Sequence, residues 1–123
     1  HPFSSSLTGT TAQELSDAYT AATGKQWTQF VGFVHALFEQ AFDVLARAGS
    51  TDKQAIADAA AATSLDTIVG PLKFGDGVTK NISTTSLVGG QWRRKDDGNF
   101  DLVIVENAGA PEIPLGGTLE PLN

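Results

Sequence analysis

The chain has 123 residues, of which 41% are hydrophobic, and it carries 14 acidic and 8 basic side chains. This length predicts one domain with a core of its own. The formal net charge of −6 disfavours a nucleic-acid binder and a protein that sits on anionic lipid. Cysteine is absent, which excludes disulfides, thiolate nucleophiles and zinc–thiolate or iron–sulfur sites.

The chain contains no methionine and begins with His1 and Pro2. We therefore expect it to have been cut from a longer polypeptide, by removal of a signal peptide, by proteolysis or by recombinant truncation. No apolar run approaches the ~18–20 residues of a membrane span.

Two helices are predicted in the first 50 residues. The first covers about residues 11–23, with a capping box that pairs Thr10 or Thr11 with Gln13 or Glu14. The second covers residues 30–48, and its apolar positions occupy more than half of the helical circumference, so it should be buried on more than one side.

A third helix is predicted from a capping box at Thr51 and Gln54 to about Thr63. The pattern then becomes that of strands: an alternating segment over 67–74, a turn over 75–77, and β-branched strands over 82–92 and 99–106. Asp97 and Gly98 predict a hairpin turn between the last two. The proline-rich residues 110–123 are predicted to be an extended tail laid on a surface, or disordered.

Four segments, in order and with matching spacing, carry a family resemblance. The run 43–52 (DVLARAGSTD) resembles the "D-A-L-K-R-A-G-S-x-D" signature of substrate-binding proteins that serve branched-chain-amino-acid-type ABC importers. The helix over 55–63, the segment 67–77 (TIVGPLKFGDG) and the pair Gln91-Trp92 before Asp97-Gly98 are similar to the elements that follow in that family. The likeness covers about residues 10–106.

The resemblance implies an α/β fold of the type I periplasmic-binding-protein class, present in part. The chain would be its C-terminal portion: three helices, then strands and an extended tail. Residues 1–26 would close the second lobe, residues 27–82 would return to the first lobe, and residues 83–123 would cross back into the second.

The function implied is capture of a small ligand, an amino acid or an aromatic or aliphatic carboxylate. The protein would work outside the cytoplasm, in the periplasm or, in a Gram-positive organism, lipid-tethered. Its partners would be the importer's membrane permease and the remaining N-terminal part of the same protein, with no nucleic acid, no cofactor and no catalysis. Four residues are candidates for ligand contact: Phe33, His35, Trp27 and Phe3.

At the family's usual Tyr position this chain has His35, followed by Ala36 where Asp is common. His35 and Glu39 lie one helical turn apart, a spacing that suits two metal ligands, but a metal site needs at least one more ligand. We therefore interpret His35, Glu39, Asp43 and Arg47 as the polar strip of a mostly buried helix, with Asp43 paired to Arg47.

Two alternatives remain open. The chain could be a free-standing α/β interaction domain that dimerises through its apolar helix. More remotely, His1 and His35 could bind copper, as in proteins with an N-terminal histidine.

Overall fold

The computed structural model describes residues 2–75, 79 and 81–122. Three helices precede four strands, which form two antiparallel two-stranded sheets, so the chain is a mixed α/β protein as predicted. It divides into two compact units, His1–Thr85 and Ser86–Asn123. The predicted division into segments 1–26, 27–82 and 83–123 refers to the lobes of a complete type I fold and stays a prediction.

Helix α1 (Ala12–Thr23) begins with the predicted capping box. The Glu14 amide donates to the Thr11 hydroxyl at 3.2 Å, and the Thr11 amide donates to the Glu14 carboxylate at 2.8 Å. The helix ends at Gly24, which adopts the left-handed conformation (φ 67°) that glycine tolerates best. Of the alternatives left open by the sequence, Thr11 and Glu14 are the pair that forms.

The capping box makes α1 sensitive to acid. The Thr11 backbone N–H, and then its hydroxyl, lower the pKa of Glu14 below its usual value because both bind the carboxylate form. A lowered pKa in the folded state means that the stabilisation is present at neutral pH and is lost as the pH falls through that pKa.

We expect an NMR titration to place the Glu14 midpoint below the ordinary value for glutamate. Thr11→Ala removes the hydroxyl but keeps the backbone N–H, so it should return the midpoint only part of the way. The same substitution should destabilise the protein by about 1 kcal/mol, as loss of an N-cap usually does. A Glu14 midpoint at or above the ordinary value in the unsubstituted protein would contradict this assignment.

Helices α2 (Gln29–Ala48) and α3 (Lys53–Ala61) pack against each other, and α2 also contacts α1 and the first strand. Gly49 follows α2 in the left-handed conformation (φ 60°), and the end of the helix at Ala48 agrees with the prediction. The predicted cap of α3 was wrong by one residue. Asp52, not Thr51, is the N-cap, because its carboxylate accepts from the amides of both Gln54 and Ala55 at 3.0 Å.

The predicted alternating segment 67–74 is a tight hairpin that begins earlier. Strands β1 (Ser64–Thr67) and β2 (Gly70–Lys73) pair antiparallel, with the turn at Ile68 and Val69. Gly70 has φ +114°, a conformation that other residues rarely adopt, and a Cβ at this position would lie 3.3 Å from the Phe3 ring. The predicted turn at Gly75–Gly77 lies mostly outside the described residues.

The second unit contains the hairpin of β3 (Gly89–Arg94) and β4 (Phe100–Glu106), with a register shift between Gly89 and Gly90. Strand β4 and the Asp97–Gly98 turn agree with the prediction. The Asn99 amide donates to Asp97 at 2.9 Å, and this hydrogen bond lowers the pKa of Asp97. The predicted strand over 82–92 was too long: residues 82–88 pair with no strand in the described part of the chain.

The tail lies on its own unit, so the disordered alternative was wrong for residues 110–122. It begins with a turn closed by the Ile113 amide on Ala110 O, and residues 114–122 that follow have no helix or strand of their own. The amides of Gly116 and Gly117 both donate to Ile104 O. The Gln91 side chain exchanges two hydrogen bonds with the Glu120 backbone, at 2.7 and 3.1 Å. Arg93 donates to Thr118 O and forms an ion pair with Glu120 at 2.9 Å.

Burial is concentrated in a few residues of each unit. In the first unit the buried hydrophobic residues are Ala36, Val44, Leu65 and Ile68, the last of which is 1% exposed. In the second unit they are Ala110 and Ile113.

Candidate functional site

The polar strip of α2 lies against the first unit: Glu39 is buried, His35 and Asp43 are half-buried, and Arg47 at its end is exposed. Asp43 and Arg47 form the predicted ion pair at 2.7 Å. Arg47 also donates to Ala59 O at 2.6 Å and to Thr63 Oγ1 at 3.0 Å. The guanidinium therefore ties α2 to the end of α3, which is the carbonyl-rich terminus where a positive charge is favourable.

Glu39 lies one turn before Asp43 on the same strip and is 4% exposed. Its Oε2 accepts from the Ile68 amide at 3.1 Å, so the carboxylate holds the turn of the β1–β2 hairpin. Its Oε1 and His35 Nε2 are both buried without a hydrogen-bond partner. Three adjacent turns of α2 thus present polar side chains towards their own unit.

The opposite side of α2 is apolar and open. Its large side chains are between 43% and 77% exposed. They are Phe30, Phe33, Val34, Leu37, Phe38, Phe42 and Leu45, here called the outer face. Phe38 and Phe42 contact each other with ring centroids 6.4 Å apart. No charged residue belongs to the outer face.

The outer face is larger than a monomer normally leaves uncovered. With about 150–250 Å² for each aromatic side chain, the exposed fractions amount to on the order of 700 Å² of apolar surface. The largest apolar patch of a typical soluble monomer is about 300–600 Å². The sequence predicted a helix buried on two sides, and in this chain only one side is covered.

The four predicted ligand residues occupy different surroundings. Phe3 packs on Gly70 at the β1–β2 turn, and the same turn meets α2, since a Cβ at Gly32 would lie 3.1 Å from Val69. His35, in the polar strip of α2, is half-buried. Phe3 and His35 therefore both belong to the surroundings of this turn.

Phe33 and Trp27 are placed differently. Phe33 is 43% exposed on the outer face, and because it lies two residues from His35 it projects about 200° away around the helix. Trp27 is half-buried in the connection between α1 and α2, where its carbonyl accepts from Gln26 at 3.4 Å. The role of all four in ligand binding stays a prediction.

Sequence reasoning missed the inward direction of the polar strip and the contact between Glu39 and Ile68. The period of α2 marks which residues share a face, but an apolar majority normally marks the buried face. Here the face that the chain itself covers contains the polar strip together with Ala36 and Val44.

Other candidate sites are limited. Among residues 2–75, 79 and 81–122, no group of three or more His, Asp or Glu side chains is placed to hold a metal ion. His1, the first ligand of the copper alternative, lies outside the described residues. None of the described helices combines the length and apolarity that a membrane crossing requires.

No protein-family model matches this chain, and no curated protein does.

Proposed function

We propose that this chain is the C-terminal part of an extracytoplasmic solute-binding protein with a type I periplasmic-binding-protein fold, which captures an amino acid or another small carboxylate for an ABC importer. The proposal rests on the motif resemblance over residues 10–106 together with the outer face of α2. The function is binding rather than catalysis, and it requires no cofactor. The protein would act in the periplasm, or at the cell surface when lipid-tethered.

The outer face is the observation that carries the proposal. A helix that flanks the sheet of an α/β lobe needs a broad apolar face towards that sheet. Helix α2 has such a face, and its own hairpin β1–β2 meets the polar strip instead. The strands that would cover Leu37 and Phe38 therefore belong to the N-terminal part of the first lobe.

The start of α2 is suited to a ligand carboxylate. Thr28 occupies the N-cap but makes no side-chain cap hydrogen bond, and the first turn contains no acidic residue. Free amide groups and the positive end of the helix dipole favour an anion at such a position. Trp27 and Phe33, on either side of this turn, are the apolar candidates for contact with the rest of the ligand.

A thermal-shift screen of the complete polypeptide tests the function. Amino acids and aromatic or aliphatic carboxylates are the panel, and nucleotides and neutral sugars are the controls. A bound ligand at a hundredfold excess over its Kd stabilises by about 2.7 kcal/mol, so one chemical class in the panel should raise the melting temperature. Stabilisation by none of the carboxylates would contradict the proposal.

A second candidate is favoured by the symmetry of the outer face. Six of its seven positions are symmetric about the point between Leu37 and Phe38, one residue before the middle of α2: Phe30 mirrors Leu45, Phe33 mirrors Phe42, and Leu37 mirrors Phe38. A two-fold axis through this point would pair two copies antiparallel with apolar contacts throughout and no facing charges. The area approaches the ~800 Å² per partner of a standard interface. An interaction domain that dimerises through α2 would therefore also cover it.

Sedimentation equilibrium separates the two candidates. If the outer face belongs inside a lobe, the complete polypeptide is a monomer. Leu37→Asp then lowers its stability, and the sedimenting species remains a monomer. If the face is a dimer interface, the complete polypeptide is a dimer, and the same substitution yields a stable monomer.

A further inference from the structure

Two buried polar atoms on neighbouring turns of α2 have no hydrogen-bond partner. They are His35 Nε2 and Glu39 Oε1, and Glu39 is 4% exposed. Residues four apart lie on the same side of a helix. A buried polar atom without a hydrogen-bond partner destabilises the fold. Two such atoms on adjacent turns of one helix face therefore indicate a site for a ligand that both can bind.

The Glu39 carboxylate is held with one oxygen free. Its Oε2 accepts from the Ile68 amide at 3.1 Å, which fixes the orientation of the group. Hydrogen bonds of this kind orient carboxylates that bind metals. The basic residue of the same strip, Arg47, is already bound by Asp43, Ala59 and Thr63. Glu39 Oε1 thus remains without a cation in the described part of the chain.

The two atoms define the chemistry of the ligand. An imidazole nitrogen and a carboxylate oxygen both offer lone pairs, and no hydrogen bond joins them to each other. This donor set suits zinc and similar divalent transition metals, whereas Mg²⁺ and Ca²⁺ prefer oxygen alone. We propose that His35 and Glu39 supply two of the ligands of a divalent cation of the zinc class.

The site would have fewer protein ligands than a structural zinc site. Among the described residues no third His, Asp or Glu joins the pair to make a group of three. A closed structural zinc site normally has four protein ligands. The proposed site is therefore a weaker one, which stabilises the contact between α2 and the β1–β2 turn when it is loaded. It is independent of the proposed function.

Isothermal titration with zinc chloride, at constant pH and in a buffer that does not chelate, tests the site. Binding of one ion per chain is expected, together with a higher melting temperature and no comparable effect of magnesium chloride. His35→Gln and Glu39→Gln should each weaken zinc binding by at least about tenfold, as loss of metal-site groups does. Glu112→Gln, which removes an exposed carboxylate, is the matched control and should leave binding unchanged.

In the 123-residue chain His1 is the competing ligand, because its imidazole and the free amine at the start of that chain can chelate a metal by themselves. His1→Gln should therefore retain the zinc effect. Three outcomes would overturn the proposal: zinc neither binds nor stabilises, binding survives both His35→Gln and Glu39→Gln, or binding disappears with His1→Gln alone. Folding of the variants is checked by circular dichroism, and the amide oxygen introduced by Glu39→Gln can still accept from the Ile68 amide.

Discussion

Leu37→Glu is expected to lower the free energy of unfolding of the complete polypeptide by about 3–5 kcal/mol, the usual cost of a buried charge without a partner. The same substitution should leave the 123-residue chain about as stable as before, because Leu37 is 63% exposed there. The contrast follows from the proposed function, in which the outer face of α2 packs on the rest of the first lobe. Urea denaturation of both proteins measures it.

The control for this prediction is Leu122→Glu. Leu122 is 89% exposed and lies in the tail, outside α2. Surface substitutions of this kind usually change stability by less than about 0.5 kcal/mol. Equal and small effects of Leu37→Glu and Leu122→Glu in the complete polypeptide would show that nothing covers the outer face, and the proposed placement of α2 would be wrong.

Ile68→Ala is expected to destabilise the chain by about 2–5 kcal/mol, the range for truncating a large aliphatic side chain in a core. Ile68 is 1% exposed and is among the largest fully buried side chains of the described residues. It also sits in the turn that Glu39 holds through its backbone amide. The cavity would therefore open where α2 and the β1–β2 hairpin meet.

Ile82→Ala is the matched control, since it removes the same atoms from a side chain that is 52% exposed. Its effect on the midpoint of urea denaturation should be small. The two variants should share one m-value if both unfold in a two-state transition. A loss at Ile68 no greater than that at Ile82 would mean that the turn is not part of the folded core.

The orientation of α2 matters for both predictions. Its polar strip stabilises the first unit through the contacts of Glu39 and Arg47, whereas its apolar outer face contributes little to that unit. Substitutions in the polar strip should therefore change the stability of the 123-residue chain. Substitutions in the outer face should change stability only in a protein in which that face is covered.

Local signals in the sequence predicted the helices well because their ends depend on neighbouring residues only. Thr11 and Glu14 satisfy amides within the first turn of α1, and Gly24 and Gly49 accept the left-handed conformation at two helix ends. The error at α3 is of the same local kind, since Thr51 and Asp52 are both good caps and only the observed hydrogen bonds distinguish them.

Strand limits were predicted less well because strands depend on partners distant in sequence. Residues 82–88 have the composition of a strand, but β4 pairs only with 89–94. The hairpin at 64–73 was read as a single alternating segment, because its turn consists of apolar residues that resemble strand residues. The tail was identified as extended, yet only the hydrogen bonds to Ile104 and Gln91 show where it lies.

The amino-acid sequence by itself determined the order of three helices and later strands, most helix caps, the Asp43–Arg47 pair and the amphipathic character of α2. Only the tertiary structure decided which side of α2 the chain covers, and it placed Glu39 and His35 inside and the aromatic outer face outside. Periodicity is a property of one helix, whereas burial depends on which elements are present to pack against it.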